Sequence, residues 1–467
     1  MVTLKVKNRV QLTPTDQIPD IVVKQIKEHL TFINPAWIEH KKLGLSNWKT
    51  RRTLSFLRQY KDKLIMPRGF LPHLVGILRR AALDYELDDR RRILPEVNFQ
   101  FMGNLKDFQE EAVGAMSAWD FGTLAAPAGS GKTVMALALL AHRKQPTLII
   151  VHTKELMDQW IQRIATFLSV PAKEIGRIGA GKNNLGDRVT VGMVQTLYKC
   201  AAKVAPHIGH LVVDECHRVP SRTFTKAVTA FDTKYMLGLS ATPWRRDGLS
   251  SLIFWHLGDK VHEIEEANLV EAGEILSANV FIRKTQFSPT CDPSEEYSRM
   301  LSELTKDPSR NALIVQDVAD EVANGNGICL ILTDRKSHCE ALVDLLLQRG
   351  IVAEMLTGGL SGAERRRLVE RLNEGLVKVM IATGQLLGEG FDCRHLSSLF
   401  LATPIKFNGR LLQYLGRVLR PSPGKDKARV YDYLDPVGVL QNAAKARRRV
   451  YREYSDIPEG NRPGRLA

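Results

Sequence analysis

Ten short apolar runs, in two groups of five, restrict the fold of this chain more than any other feature. The first group is FGTLAAP (121–127), PTLIIVH (146–152), RVTVGMV (188–194), HLVVDEC (210–216) and YMLGLSA (235–241). The second is GICLILT (327–333), VAEMLT (352–357), VKVMIAT (377–383), LSSLFLA (396–402) and ARVYDYL (428–434). A strand with one wet face alternates polar and apolar residues, whereas these runs stay largely apolar. Strands of that kind belong to parallel sheets covered by helices on both faces. Helical spacing separates the runs, so the chain reads as two consecutive α/β units. The pattern weakens over 265–310. Before residue 104 it gives way to a small mixed α/β region. There DIVVKQIKEHLTF (20–32) has helical spacing with Asp20 as N-cap, LIMPRGF (64–70) reads as a strand broken by a turn, and LPHLVGILRRAAL (71–83) as a helix.

The 467 residues accommodate about three domains. A hydrophobic fraction of 44% and a charged fraction of 25% exclude wholesale disorder and a disulfide-built miniprotein. No run approaches about 18 consecutive apolar residues, so no membrane span is expected. The opening MVTLKVKNRVQL lacks the apolar core of a secretory signal, and a cytoplasmic protein is expected. The six cysteines form no CxxC pair and read as reduced thiols. The net charge is +15. Residues 1–100 carry 19 basic against 10 acidic side chains, and residues 440–467 carry 7 against 3. The basic excess therefore sits at the two ends, which points to a polyanion partner, most simply nucleic acid. A solvated basic surface would give the same count. Arg51, Arg52, Arg68, Arg79, Arg80 and Arg90–Arg92 are the candidates for a duplex-binding surface.

APAGSGKT (126–133) follows the first apolar run and opens the amphipathic segment TVMALALLAHR (133–143). Strand, glycine-rich loop and helix together make a phosphate loop. Gly129 and Gly131 let the backbone curl so that its N–H groups face phosphate oxygens, and the helix start adds positive dipole. Ala128, Ser130 and Gly131 complete the cradle. Lys132 would reach the β- and γ-phosphates of ATP, and Thr133 would ligand Mg²⁺. The loop begins with Ala126 where the general pattern has Gly. Asp214 and Glu215 end the run LVV (211–213), where two acids are costly unless they work at the carboxyl edge of the sheet. Asp214 would hold Mg²⁺, directly or through water, and Glu215 would orient and deprotonate the attacking water. Cys216 and His217 follow, without a second Cys/His cluster to complete a metal site. In GRLLQYLGRVLR (409–420), Gln413, Arg417 and Arg420 fall at i, i+4 and i+7, which predicts one shared helix face.

These motifs carry a resemblance. DECH (214–217) resembles the DExH-type motif II of superfamily-two helicases. LKDFQEEAV (105–113) resembles the segment before the phosphate loop, HTKELMDQW (152–160) motif Ia, GMVQTL (192–197) motif Ib and GLSATPWRRDG (238–248) motif III. LTDRKSHCEAL (332–342) resembles motif IV, IATGQLLGEGFDC (381–393) motif V and QYLGRVLRP (413–421) motif VI. The likeness covers about residues 104–435, with the motifs in family order. Within the superfamily it is nearest to XPB-like and UvsW-like DNA helicases. Arg245, Arg246 and Asp247 fall where XPB-like enzymes carry a RED motif, with a different middle residue. PRGF (67–70) and DDRRR (88–92) are similar to the small module that precedes the motor in that group.

The resemblance implies two tandem RecA-like domains after a small mixed α/β module. Residues 1–103 would be the DNA-binding or damage-sensing-like module, 104–268 the first lobe, 269–440 the second and 441–467 a basic tail. It implies an ATP-dependent helicase whose two lobes close on ATP and Mg²⁺ and reopen on hydrolysis. Gln109 would read adenine, Gly390 and Asp392 would meet ATP from the second lobe, and Arg417 and Arg420 would act as arginine fingers. Ser240 and Thr242 would couple nucleotide state to grip. Thr153, Lys154, Gln195, Thr196, Thr333, Thr357, Gly358 and Thr383 would face nucleic-acid phosphates without reading sequence, and Trp244 would stack on a base or pack in the core. A monomer acting on DNA, moving 3′→5′ in repair, recombination or phage-related processes, is the expected activity. Alternatives are an RNA-directed DExH helicase, a catalytically silent nucleic-acid-binding protein, and an unrelated phosphate-loop enzyme such as a kinase. The intact acidic pair and arginines argue against the silent protein, and motifs Ia, V and VI against the kinase.

Overall fold

The computed structural model describes residues 1–42, 44–218, 222–241, 250–325, 327–384, 393, 395–405 and 408–454. The chain divides into two compact units. One comprises residues 1–126 and 131–263, and the other 264–467 with the loop segment 127–130.

Among its described residues the first unit holds a two-stranded ribbon, Thr31–Ile33 with Thr53–Ser55, and two larger sheets. The smaller, five-stranded one runs Arg58–Gln59, Leu64–Pro67, Arg9–Thr13, Val2–Val6, Tyr85–Asp89 across its width. Val2, Leu4, Val6, Val10 and Leu12 alternate inward and are buried, as a half-covered sheet requires. All but Val6 pack on the helices Asp20–His29 and Leu71–Arg80 through Val22, Ile26, Leu74, Ile77 and Leu78. Asp20 is the first helical residue, and Pro19 occupies the cap position with no side-chain hydrogen bond. That corrects the expected Asp20 N-cap: proline's fixed φ sets the entry one residue earlier. The same core takes in Leu252 and Trp255 from the helix Ser250–Leu257, which covers the neighbouring sheet.

The larger sheet has eight strands in the order 182–184, 176–179, 189–193, 147–151, 210–213, 235–240, 121–125, 260–263. Every pairing is parallel except that of the edge hairpin Gly176–Gly179 with Lys182–Asn184. All five runs of the first group lie side by side at its centre. The edge strands escaped the sequence reading because Lys182–Asn184 is wholly exposed and Lys260–Glu263 is partly so.

The second unit carries one all-parallel, six-stranded sheet in the order 278–284, 428–434, 396–401, 328–333, 379–383, 353–356. The five runs of the second group are again adjacent. The sixth strand, Ala278–Lys284, lies in the stretch where the pattern weakened, and its side chains alternate between wet and covered positions. The basic end is helical from Gly438 to Tyr454. Both halves of the chain are thus α/β bodies of the RecA-like type, as expected.

Candidate functional site

Parallel strands put all their carboxyl ends on one edge, and loops leaving that edge form sites. In the first unit the phosphate loop leaves the strand Phe121–Ala125, one strand removed from His210–Val213, which ends in the acidic pair. Ala126 N–H donates to the Ser240 carbonyl across the intervening strand (3.0 Å). Gly129 and Gly131 have φ of +95° and +83°, where a side chain is strained. A Cβ on Gly131 would also meet Gln109 Nε2 at 2.4 Å, so that side chain would have to shift. Ser130 Oγ donates to the Pro127 carbonyl (2.8 Å). The helix then begins at Lys132, whose ammonium donates to the Ala126 carbonyl (2.7 Å). Thr133 is partly exposed at the helix start. Gln109 lies on the helix Asp107–Ser117, where its Oε1 accepts from Lys106 N–H (3.1 Å) at the helix start.

The acidic pair is built unevenly. Asp214 is buried, and its two oxygens accept from Glu215 N–H (2.9 Å) and Trp160 Nε1–H (2.8 Å). Burial and the Glu215 charge push its pKa up to about 6. Glu215 has φ +49°, a left-handed backbone in a non-glycine residue. Such strain concentrates at functional sites, and here it turns the side chain out of the strand line. Burial alone would raise the Glu215 pKa. Its contact with His217 and the charge of Lys132 outweigh burial and hold it down near 2. His217 Nδ1 stands 3.1 Å from Glu215 Oε2 and 3.2 Å from Ser240 Oγ. One imidazole therefore touches both the acid and the end of the next strand. Trp160 and His217 escaped the sequence reading as site residues. The signal for Trp160 was the motif Ia segment itself, whose helix Lys154–Leu168 returns it to the strand end.

Asp214 spends only one lone pair of each oxygen on these two donors, which leaves the others for a cation. The Thr133 hydroxyl at the start of the phosphate-loop helix is a second oxygen donor, and oxygen donors suit Mg²⁺.

In the second unit Gln413 and Arg417 lie on the helix Asn408–Val418 and are partly exposed. Leu419 N–H still bonds the Leu415 carbonyl (2.8 Å), but Arg420 lies past the helix end. The expected shared helix face is corrected on this point. Pro421 disfavours helical backbone at the residue before it, and Lys425 closes the end. The Lys425 ammonium donates to the carbonyls of Val418, Arg420 (2.9 Å) and Leu396 (2.6 Å). Burial lowers its pKa to about 8.

Comparison with known proteins adds the family. Residues 102–245 match the family described as "Type III restriction enzyme, res subunit", and residues 312–422 match "Helicase conserved C-terminal domain". The chain is 24% identical to "Probable helicase D10" of Escherichia phage T5 over 96% of this chain and 93% of the phage protein. It is 25% identical to "DNA 3'-5' translocase XPB2" of Sulfurisphaera tokodaii over 80% of this chain and 91% of that protein. The chain is a superfamily-two helicase. It is therefore a nucleotide-hydrolysing enzyme. A protein of Acanthamoeba polyphaga mimivirus named as an ATP-dependent RNA helicase is 26% identical over 73% of this helicase and 66% of its own length. The structure of Saccharomyces cerevisiae Dbp5 bound to RNA and ADP BeF3 shares the fold, at a TM-score of 0.55 and 15% identity over 76% of the helicase and 89% of Dbp5.

The residues expected to face nucleic acid all follow strand ends. Thr153 caps the helix Lys154–Leu168 by accepting from Leu156 N–H (3.3 Å), and Lys154 is exposed. Gln195 is exposed and donates to the His152 carbonyl (2.9 Å), with Thr196 beside it. In the helicase's second sheet, Thr333, Thr383 and Thr357 sit at the ends of three neighbouring strands. Gly358 is exposed and Thr357 buried. The Thr333 hydroxyl is buried and bonded to His338 Nδ1 (2.8 Å) and Arg335 N–H (3.4 Å), so it serves the core. Thr242, Trp244, Arg245, Arg246, Asp247, Gly390 and Asp392 lie outside the described residues.

The expected duplex-binding arginines divide. Arg51, Arg52, Arg79 and Arg80 are exposed. Arg92 instead grips Asp232 with two hydrogen bonds (2.9 and 3.1 Å), and Arg91 bonds Asp89 and Asp120. Arg68 is buried and donates to the Thr233 carbonyl (2.5 Å). These three tie the small sheet to the large one. Arg90 pairs with Asp88 (2.6 Å). Long-range carboxylates, invisible to a charge count, claim Arg91 and Arg92.

Proposed function

We propose that this helicase is an ATP-driven DNA translocase that moves 3′→5′ and separates or remodels duplexes without reading sequence. Residues 1–103 act as its DNA-binding module, 104–268 and 269–440 as its motor lobes, and 441–467 as a basic end. The observation that supports this most is the strand-end constellation in which Lys132, Asp214, Glu215, His217 and Ser240 follow adjacent strands. The XPB2 relative's printed name supplies the direction and the choice of DNA.

In this reading the backbone N–H groups of residues 128–133 and the Lys132 ammonium hold the triphosphate, with Gln109 at the adenine. Thr133 and Asp214 hold Mg²⁺, which when bound offsets charge on the β- and γ-phosphates. Glu215, ionised at neutral pH, takes a proton from the attacking water as that oxygen bonds the γ-phosphorus and the β–γ bridge breaks. Arg417 and Arg420 stabilise the charge that develops, with Gln413 positioning the water, and Gly390 and Asp392 contact ATP. His217 relays the state of Glu215 to Ser240, and Thr242 continues that coupling. Thr153, Lys154, Gln195, Thr196, Thr357, Gly358 and Thr383 hold the backbone, Thr333 through its main chain alone.

The test is steady-state ATP turnover against single-stranded DNA, duplex, forked DNA and RNA at two salt concentrations, with Lys132→Ala and Glu215→Gln as controls. The expected result is stimulation by DNA that falls with salt and turnover lost in both variants, with DNA binding kept. Stimulation by RNA alone would replace DNA with RNA as the track. Near-normal turnover in either variant would remove that residue from the chemistry.

A further inference from the structure

Between the small sheet and the large sheet of the first unit lies a cavity of about 180 Å³. Its floor is apolar, formed by Met66, Val228, Phe231 and Met236, and Phe56 contributes an aromatic wall. The Phe56 ring is fixed by stacking on Phe32 (5.9 Å between centroids) and by the tilted Trp255 (5.5 Å). Three arginines line the same space: Arg9, Arg58 and Arg68. No carboxylate is among the lining residues.

The three differ in a way that indicates a ligand with two polar ends. Arg68 is 3% exposed. Its Nη1 is spent on the Thr233 carbonyl, while its buried Nη2 has no hydrogen-bond partner. A guanidinium N–H buried without an acceptor is costly, and a ligand acceptor removes that cost. Arg9 is half-buried. Burial and the neighbouring Arg58 charge lower its pKa, so it is a cation held beside another cation. Arg58 is exposed at the rim. Arg9 and Arg58 have no carboxylate partner among the described residues. The lining therefore offers three kinds of group: a buried donor, an apolar and aromatic waist, and a pair of less buried cations.

A bare phosphate would leave the apolar waist and the deep donor unused. One heterocycle carrying one phosphate matches all three features. We propose that this cavity binds a single nucleotide. Its base lies against Phe56 and the apolar floor with a ring acceptor on Arg68 Nη2, and its phosphate sits on Arg9 and Arg58. The nucleotide comes either from a strand, as an unstacked base, or from free nucleotide in solution.

The full chain is saturated with ADP and beryllium fluoride to occupy the phosphate loop. Binding of thymidine monophosphate is then measured by equilibrium dialysis, with inorganic phosphate as competitor. One nucleotide should bind per chain. Arg58→Ala, at an exposed position, should weaken it about tenfold or more, the loss of one charge-assisted bond. Ser55→Trp, a bulky ring at the exposed rim, should block it and leave ADP binding unchanged. Oligothymidylates with and without one abasic site separate the sources. A loss of affinity on removing the base, erased by Arg58→Ala, assigns the nucleotide to a strand. Equal affinity of the two oligonucleotides, with thymidine monophosphate still bound, assigns it to the free pool. Failure of thymidine monophosphate to bind, its equal displacement by inorganic phosphate, or indifference to Arg58→Ala would each overturn the proposal. ATP turnover in the same preparation reports on the motor separately, so loss of one reading leaves the other standing.

Discussion

Each unit buries an aspartate at the carboxyl end of a parallel strand, and the two are treated in opposite ways. In the second unit Asp435 follows the strand Ala428–Leu434 and is answered by Arg310, with both side chains wholly buried. Arg310 Nε donates to it at 2.8 Å, Thr285 Oγ1 donates at 2.6 Å, and the remaining Arg310 Nη1 donates to the Ala402 carbonyl (2.6 Å). Arg447 does the same for Asp432 with hydrogen bonds of 2.8 and 2.7 Å. In the first unit Asp214 receives a tryptophan N–H and a second carboxylate as its neighbours. Equal burial with unequal compensation separates a framework charge from a working one. Asp435 and Asp432 each face an arginine cation, whereas Asp214 faces a second carboxylate, a charge arrangement that a bound cation would relieve.

The largest expected effect is at Asp214. Asp214→Asn should lower ATP turnover by about 10³-fold or more, a loss of the scale seen when a charge-stabilising group is removed. It should leave the midpoint of chemical denaturation unchanged or raised, because the substitution removes a buried charge beside a like charge. A marked drop in that midpoint would make Asp214 a framework residue like Asp435. Arg310→Met should do the reverse, costing about 3–5 kcal/mol of folding stability by stranding Asp435. The double variant Arg310→Met/Asp435→Leu should recover most of that loss, and urea unfolding of the three proteins reads both steps.

Trp160→Phe gives a smaller change. Its N–H lowers the Asp214 pKa, so removing it should move the acid limb of the pH dependence of kcat/KM upward from about 6. A limb that stays in place would exclude Asp214 as the group that sets it. The smallest effect is at His338, which is buried between Thr333 Oγ1 and Asn311 Oδ1 (2.8 and 3.0 Å). Burial and Arg310 lower its pKa from 6.5 to about 3. Between those values the unfolded chain holds a proton that the folded chain refuses, so stability falls on acidification by up to about 1.4 kcal/mol per pH unit. His338→Gln should flatten the unfolding free energy between pH 6 and 4 by roughly that slope.

What the sequence reveals follows from which interactions are local. The ten strands were legible because each carries its own apolar signature, and the phosphate loop because its glycines, lysine and helix are contiguous. The sheet edges were not, since Lys182–Asn184 and Ala278–Lys284 keep wet side chains and carry no such signature. Trp160 and His217 lie within recognisable motifs, yet their partners are set by strand order, which places residue 160 on Asp214 and residue 217 on Ser240. The arginines at 91 and 92 were misread for the same reason: Asp120 and Asp232 reach them only after folding. The Arg417 and Arg420 spacing was read correctly as a number and wrongly as a surface, because Pro421 and Lys425 stop the helix first. The left-handed backbone of Glu215 leaves no trace in its residue type.

The helix Ser250–Leu257 gives the small sheet two of its core residues, Leu252 and Trp255, while it covers the large sheet. The fold is therefore dovetailed at this point rather than strung together from separable modules. A truncation that discards the first hundred residues would leave an indole and a leucine facing water, and the remaining motor would tend to precipitate. A graft of the small sheet onto another motor would arrive with a hole in its core unless that helix travelled with it. Recombination between relatives would then be expected to succeed at breakpoints after residue 257 and to fail between 92 and 250.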